Sequence, residues 1–188
     1  MQSANRIVSS EAEELILVDS DDNPVGQLSK AAAHDGDGRL HRAFSVFLFN
    51  ANGELLLQQR GRDKRLWPGF WSNSCCSHPR VGESMEVATR RRLDDELNLE
   101  SELEYVYRFQ YQANYSEAGS EHELCHVFVG RVDDKVVPNA NEIEAVRFVP
   151  AGSMADLLQN DPDRYTPWFK LEWRTLMDEH SDVLARYI

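Results

Sequence analysis

The pattern of hydrophobic and polar residues predicts several strands in the first third of the chain. The apolar run E-L-I-L-V at 14–18 is followed by D-S-D-D-N-P-V-G, which is typical of a strand that ends in a turn. A stronger apolar run, R-A-F-S-V-F-L-F, lies at 42–49 and is joined through N-A-N-G to E-L-L-L-Q-Q-R at 54–60. The Asn-Gly connection predicts that these two strands form a hairpin.

The rest of the chain predicts a central helix, further strands and helices near the carboxyl end. Residues 84–97 are typical of a helix, because acidic residues occupy the first turn and Val87, Ala88, Leu93 and Leu97 supply apolar positions. Strands are predicted at 102–111, 122–130 and 145–150, and helices at 151–160 and 166–186. This order favours an α+β domain or a mixed α/β domain, in either case with a mixed sheet.

Composition is that of an ordinary globular protein. The 188 residues, of which 41% are hydrophobic, predict one domain over 1–188 with a proper core. No apolar run approaches the roughly 18 residues of a membrane span, and the amino terminus lacks a signal-peptide pattern. Three cysteines, two of them adjacent, form a poor disulfide framework, so reduced thiols and a cytoplasmic location are expected.

Charge is distributed unevenly. A net charge of −12 argues against nucleic acids and anionic membranes as partners. Eight of the twenty Lys and Arg residues nevertheless fall in one segment: Arg60, Arg62, Lys64, Arg65, Arg80, Arg90, Arg91 and Arg92. Such a cluster indicates either a local anion site or a solvated loop followed by the polar face of a helix, and spacing alone leaves both open.

The segment at 67–84, W-P-G-F-W-S-N-S-C-C-S-H-P-R-V-G-E-S, concentrates reactive side chains. In extended backbone Cys76 and His78 face one side, and Cys75 and Ser77 face the other. A cysteine beside cationic groups is expected to have a lowered pKa and to act as an acid, base or nucleophile. The alternative is a small buried hydrophobe.

Histidines and carboxylates elsewhere could join this segment in a metal site. His34 and His41 flank the turn-rich loop D-G-D-G-R-L, and His78 lies in the cysteine-rich segment. Glu121 and Glu123 begin a predicted strand and share one face, where two carboxylates repel each other unless a cation relieves them. Three imidazoles with carboxylates suit a divalent metal. Taken alone, the glutamates favour a solvated strand edge.

The helix after Gly82 resembles the Nudix box, a helical motif whose glutamates bind magnesium for diphosphate hydrolysis. The positions that fit are Glu83, Arg91, Leu93, Glu96 and Leu99. The departures are Arg92 and Asp95 in place of glutamates, and Ser77 and Asn98 in place of glycines. Arginine in place of a metal-binding carboxylate favours attraction of a diphosphate. We therefore expect the Nudix fold to be retained and the hydrolytic activity to be lost.

Beyond this helix, the chain resembles the type I isopentenyl-diphosphate isomerases, which have a modified Nudix fold. The motifs that carry the resemblance are L-S-K-A-A-A-H, R-L-H-R-A-F-S, W-P-G-F-W-S-N-S-C-C-S-H-P, G-E-S, E-H-E and T-P-W. The resemblance covers nearly the whole chain, from about Leu15 to the C-terminal helix. The resemblance implies a Nudix-like α/β/α sandwich with an extra N-terminal strand and loop and extra C-terminal helices.

The resemblance also assigns roles to residues. It implies one divalent metal, zinc, manganese or magnesium, on His34, His41, His78, Glu121 and Glu123. The reactive cysteine falls on Cys76, with Ser77 in place of the glycine expected after it. Diphosphate contacts fall on Lys30, Arg60, Lys64 and Arg92. A magnesium ion that accompanies the substrate would use Glu96 and the carbonyl of Cys76. Trp168 would face a carbocation, and Tyr111 would support the acidic residue.

The implied activity is the isomerisation of isopentenyl diphosphate to dimethylallyl diphosphate in isoprenoid biosynthesis. A double bond moves when a proton is added to one carbon and another is removed nearby, through a tertiary carbocation. Cys76 and Glu123 would serve as the two acid/base groups on opposite faces of the substrate. The alternatives are a Nudix-type hydrolase and a metal-stabilised binding domain. The expected partner is a small diphosphate, and the sequence leaves the oligomeric state open.

Overall fold

Within residues 6–132 and 135–188, which the computed structural model describes, nine strands form one mixed sheet. The strands are β1 (Glu14–Val18), β2 (Pro24–Ser29), β3 (His41–Phe49), β4 (Glu54–Arg60), β5 (Trp71–Ser72), β6 (Cys75–Ser77), β7 (Leu103–Asn114), β8 (Ser120–Arg131) and β9 (Ile143–Pro150). The helices are α1 (Lys30–Ala33), α2 (Met85–Leu97), α3 (Met154–Asn160), α4 (Pro167–Glu179) and α5 (Ser181–Leu184). Short 3₁₀ turns lie at Ser116–Ala118, Ala151–Ser153 and Pro162–Arg164.

The central strand is β3, which is buried on both faces. It pairs in parallel with β8 along one edge and antiparallel with β6 along the other. Phe44 and Val46 pack in the core cluster beneath α2, whereas Phe47 and Phe49 pack in the larger cluster beneath α4. Because helices cover both faces, the strand has a nearly continuous apolar sequence rather than an alternating one.

Helix α2 begins and ends where its sequence predicts. The Ser84 hydroxyl accepts a hydrogen bond from the amide of Val87, and Asn98 closes the helix in the left-handed conformation, with φ 53°. Leu93 and Leu97 are fully buried against the sheet, which stabilises the fold by about 2 kcal/mol for each side chain. Val87, another apolar position of the helix, is 54% exposed.

The predicted α+β class, with a mixed sheet between helices, is confirmed. Strand β2 was not predicted, because its residues lack apolar alternation and are typical of a turn. In the structure they form an exposed strand that pairs with β1. The helix predicted at 166–186 is interrupted at His180, which gives α4 and α5. No helix in the described ranges is long and apolar enough to cross a membrane. Of the predicted domain over 1–188, residues 1–5 and 133–134 lie outside the described residues.

Candidate active site

A cavity of about 420 Å³ opens where the ends of β3, β6 and β8 meet the loop between β4 and β5. Most of the residues predicted for the site line it: Lys30, His34, Arg60, Lys64, Cys76, His78, Arg92, Tyr111, Glu121, Glu123 and Trp168. His41 and Glu96 are buried behind this lining. The fold therefore brings together segments that are far apart in the chain.

Strand register decides which side chains reach the cavity. Cys76 pairs with Ser45 of β3, and Glu123 pairs with His41 of the same strand. Paired residues in neighbouring strands share a face, and positions 41 and 45 of β3 face the same way. The thiol and the carboxylate therefore lie on one face of the sheet, at opposite edges of β3. Cys75 lies on the other face, buried beneath α2.

Five side chains converge into one cluster. The ligand atoms of His34, His41, His78, Glu121 and Glu123 all lie within 4.8 Å of one another. His34 Nε2 is 2.8 Å from Glu121 Oε2, and His78 Nε2 is 2.9 Å from Glu123 Oε1. Three imidazoles and two carboxylates at this spacing suit zinc or another divalent ion of the first transition row.

Backbone carbonyls fix the orientation of two of the imidazoles. The Nδ1 atom of His34 lies 2.7 Å from the carbonyl oxygen of Lys30, and that of His41 lies 2.7 Å from the carbonyl oxygen of Arg39. Each Nδ1 therefore donates its proton to a carbonyl oxygen, which directs the Nε2 atom into the cluster. Within the described part of the chain, His41 Nε2 is buried without a hydrogen-bond partner. The cluster thus fits a divalent metal.

A glycine allows the start of β8 to approach His34. Gly119 has φ 130°, and a Cβ atom there would lie 2.2 Å from the carbonyl oxygen of His34. The next amide, that of Ser120, donates a hydrogen bond of 2.9 Å to the same oxygen. Close backbone contact without a side chain therefore positions the two glutamates of β8 against the histidine loop.

Two aromatic residues complete the cavity wall. Tyr111, on β7, donates a hydrogen bond of 2.6 Å from its hydroxyl to Glu123 Oε2. Trp168, on α4, is 3% exposed, and its Nε1 has no hydrogen-bond partner among the described residues. Its ring lies edge-on to Trp67, with the centroids 5.3 Å apart. This part of the cavity wall therefore has an aromatic surface, which reaches the cluster through the Tyr111 hydroxyl.

Arg60 connects the thiol to this aromatic wall. Its guanidinium donates to the carbonyl oxygens of Leu66, at 2.8 Å, and Trp67, at 3.2 Å. The same group lies 5.2 Å from the Trp168 ring centroid, and its Nη1 is 4.0 Å from Cys76 Sγ. Arg60 is thus held in one orientation at the boundary between the apolar and cationic parts of the cavity.

The cations on the far side of the cavity are already paired with carboxylates. Arg92, on α2, forms an ion pair with Glu96 and donates from Nη1 to the carbonyl oxygen of Val8 at 2.9 Å. Lys64 forms an ion pair with Glu142. Glu96 Oε2 accepts a long hydrogen bond of 3.5 Å from the side-chain amide of Gln58. Of the basic segment, Arg62, Arg65, Arg80 and Arg90 are exposed at the surface.

Comparison with known proteins places this geometry in a family. The family model of the NUDIX domain matches residues 39–169. Isopentenyl-diphosphate Delta-isomerase 1 of Photorhabdus laumondii is 43% identical over 175 residues, which cover 92% of this chain and 99% of the relative. The isopentenyl-diphosphate Delta-isomerase of Burkholderia multivorans is 43% identical over 157 residues, with 84% and 89% coverage. The chain belongs to the isopentenyl-diphosphate Delta-isomerase family.

The fold of this family member also resembles solved Nudix-related structures. The crystal structure of DR0079 from Deinococcus radiodurans has a TM-score of 0.65 at 24% identity, and covers 79% of this chain and 90% of that one. A MutT protein from Methanosarcina mazei has a TM-score of 0.60 at 17% identity, with 75% and 95% coverage. At these identities the likeness shows the fold alone. It agrees with the Nudix-like architecture predicted from the sequence.

The departures from the Nudix box in this family member are accommodated without backbone strain. Ser77 lies in the extended strand β6 and does not adopt a positive φ, so the serine costs nothing in backbone conformation. Asn98 adopts the left-handed conformation that a glycine would otherwise supply, which asparagine tolerates better than most residues. Arg92 is buried in place of a carboxylate and is neutralised by Glu96.

Two expectations from the sequence are wrong. The solvated strand edge favoured for Glu121 and Glu123 does not occur, because β8 lies between β3 and β7 and both side chains are nearly buried. The Cys76 thiol does not have a lowered pKa. Burial raises the pKa of Cys76 to about 12, and the opposing effect of Arg60 is smaller. The thiol is therefore protonated near neutral pH.

Burial and neighbouring charges shift the pKa values of the cluster members in different directions. Burial opposes ionisation of Glu123, but the nearby imidazoles of His41 and His78 outweigh it and hold the pKa of Glu123 well below its usual range. Burial lowers the pKa of His78 to about 4 despite Glu123. For His34, Glu121 outweighs burial and raises the pKa to about 9. A protonated thiol therefore shares the cavity with an ionised carboxylate.

Three buried or cavity-facing polar residues of this family member were not predicted from the sequence. Glu142 and Ser9 contact the cationic side, and no motif marks them. Glu172 is fully buried on α4, where its Oε1 is 3.5 Å from Cys125 Sγ. A signal for Glu172 did exist, because a carboxylate four residues after Trp168 interrupts the apolar face of a helix.

Proposed function

We propose that this chain isomerises isopentenyl diphosphate to dimethylallyl diphosphate. The observation that carries the proposal is that Cys76 and Glu123 line one cavity from strands at opposite edges of β3. The relatives' name supports the substrate. We further propose that the enzyme works in the cytoplasm, in keeping with its free cysteines.

The placement of the two groups suits antarafacial proton transfer. Moving the double bond from C3–C4 to C2–C3 requires a proton at C4 and the loss of a proton from C2. Cys76 and Glu123 reach the cavity from its two sides, so each can act on a different face of a bound chain. The thiol is proposed to donate to C4, and the carboxylate to accept from C2. Tyr111 and Trp168, which line the cavity, are nearly buried and limit the access of bulk water to the intermediate cation.

Trp168 and Tyr111 support the two proton transfers. An indole ring face stabilises a cation, and Trp168 is proposed to do so for the tertiary carbocation. The Tyr111 hydroxyl, 2.6 Å from Glu123 Oε2, is proposed to position that carboxylate beside C2. Both residues also pack against each other, with ring centroids 6.3 Å apart.

The cationic side of the cavity is proposed to bind the diphosphate through Lys30, Arg60, Lys64 and Arg92. Contacts far from the reacting carbons contribute binding energy for positioning the substrate. The histidine–glutamate cluster would hold a zinc, manganese or magnesium ion, which supplies positive charge beside Glu123. A magnesium ion that arrives with the diphosphate would be held by Glu96 and the carbonyl of Cys76.

The test is to incubate the purified, metal-loaded protein with isopentenyl diphosphate and magnesium, and to follow products by proton NMR and phosphate release. The proposal predicts an equilibrium mixture of isopentenyl and dimethylallyl diphosphates with no release of inorganic phosphate or pyrophosphate. Release of phosphate without a dimethylallyl signal would instead identify a Nudix-type hydrolase. No change in the substrate would indicate a binding domain.

A further inference from the structure

A carboxylate already occupies the cationic side of the cavity. Glu142 immediately precedes β9, is 4% exposed and lines the cavity. It forms an ion pair with Lys64, and its Oε2 lies 3.5 Å from Arg92 Nη2. Its other oxygen, Oε1, accepts a hydrogen bond of 2.9 Å from the Ser9 hydroxyl. The side chain is therefore fixed at both oxygens.

The four side chains joined by these ion pairs have no net charge together, and the other two proposed diphosphate contacts, Lys30 and Arg60, lie outside them. Lys64 and Arg92 contribute two positive charges, and Glu96 and Glu142 contribute two negative ones. Burial opposes ionisation of Glu142, but Lys64 and Arg92 outweigh it and lower the pKa of Glu142 to about 2. A cationic subsite built only to attract anions has no need of a second buried carboxylate. The neutrality therefore points to discrimination between ligands.

We propose that Glu142 is a specificity-determining residue that selects a diphosphate carrying a divalent cation over a bare anion. This inference rests on the proposed function, in which Lys64 and Arg92 contact the diphosphate. A bare diphosphate must either displace Glu142 from these cations or lie beside its charge, and both are costly in a buried site. A magnesium-bound diphosphate brings positive charge that Glu142 and Glu96 can face.

The backbone of Glu142 has a separate, structural role that a change of side chain leaves intact. Its carbonyl oxygen accepts a hydrogen bond of 2.9 Å from Gly61, which fixes the loop that bears Lys64. Glutamine has the same shape as glutamate and can still accept from Ser9. Glu142→Gln therefore removes the charge while retaining the loop. Glu144→Gln is the matched control, because it removes one negative charge in the same way, but at the surface, where Glu144 pairs with Arg62.

The experiment measures binding of inorganic pyrophosphate by calorimetry, with and without magnesium, to the wild type and both variants. The wild type and Glu144→Gln should bind at least about tenfold more tightly with magnesium, which corresponds to about 1.4 kcal/mol. In Glu142→Gln this ratio should fall to about threefold or less, mainly through tighter binding in the absence of magnesium. An unchanged ratio, or weaker binding in both conditions, would overturn the inference.

The proposed diphosphate site is checked separately in the same assay. If Arg92→Met binds magnesium pyrophosphate as tightly as the wild type, the diphosphate site itself is wrong and the inference falls with it. If Arg92→Met binds poorly while Glu142→Gln keeps the wild-type ratio, only the inference fails. Should Glu142→Gln not fold, Ser9→Ala serves instead: loosening the carboxylate should tighten magnesium-free binding about threefold. No gain in Ser9→Ala would also overturn the inference.

Discussion

The adjacent thiols offer a test of the sheet register on which the site depends. Cys75 is fully buried between the sheet and α2, whereas Cys76 is partly exposed and lines the cavity. Cys75→Ala and Cys76→Ala delete the same atom one residue apart, on opposite faces of β6. The two variants are therefore matched controls for each other.

The expected effects differ in kind. Cys75→Ala removes one heavy atom from a close-packed core and should lower the free energy of unfolding by about 1 kcal/mol, or Tm by about 2–4 °C, with activity retained. Cys76→Ala removes the proposed proton donor and should reduce kcat by about 10²- to 10⁴-fold. That loss corresponds to about 3–5 kcal/mol in the activation barrier. Its Tm and metal content should remain close to those of the wild type.

The assay combines steady-state isomerisation of isopentenyl diphosphate, thermal unfolding and metal analysis on the three proteins. An alkylating reagent should also inactivate the wild type, with protection by a substrate analogue. An inactive Cys75→Ala beside an active Cys76→Ala would show that the register and the role of Cys76 are both wrong. Equal, modest losses in both variants would show that neither thiol transfers a proton.

Three other predictions address the metal cluster, the aromatic wall and the buried acid on α4. The wild type should purify with about one tightly bound divalent ion per chain, and the double variant His41→Ala, His78→Ala should lose it; full occupancy in the variant would contradict the cluster. Trp168→Phe keeps a weaker ring face and should retain more activity than Trp168→Leu, whereas equal losses would indicate packing alone. Burial raises the pKa of Glu172 from 4.5 to about 8, so the wild type should lose stability relative to Glu172→Gln as pH rises from about 5 to 8. The difference, measured by urea unfolding, should grow by about 1.4 kcal/mol per pH unit, and parallel pH profiles would contradict it.

The elements with strong local patterns could be predicted from the sequence. Strand β4 has the predicted bounds, and β3 and α2 agree with prediction to within one residue at each end. In each case apolar periodicity and a turn or cap at the boundary indicate the same element. The shared orientation of Cys76 and His78 also follows from the sequence, because side chains two residues apart in extended backbone face the same side. These features depend on a few neighbouring residues.

The environment of the site depends on long-range pairing that local patterns do not contain. Glu121 and Glu123 are buried because β7 covers the far edge of β8, and nothing near these glutamates indicates that strand. The protonation of Cys76 depends on whether burial or Arg60 has the larger effect, which requires the surrounding packing. Glu142 forms an ion pair with Lys64, which lies 78 residues earlier in the chain. A single sequence does not specify such a contact.

The central claim is reversible proton transfer at carbon, and proton NMR in deuterium oxide tests it most directly. The wild type with isopentenyl diphosphate and magnesium should first give dimethylallyl diphosphate with one deuterium in the newly formed methyl group. Continued incubation should introduce deuterium at C2 and C4 of the recovered substrate. A substrate pool that stays free of deuterium while inorganic phosphate or pyrophosphate accumulates would contradict the proposed isomerase.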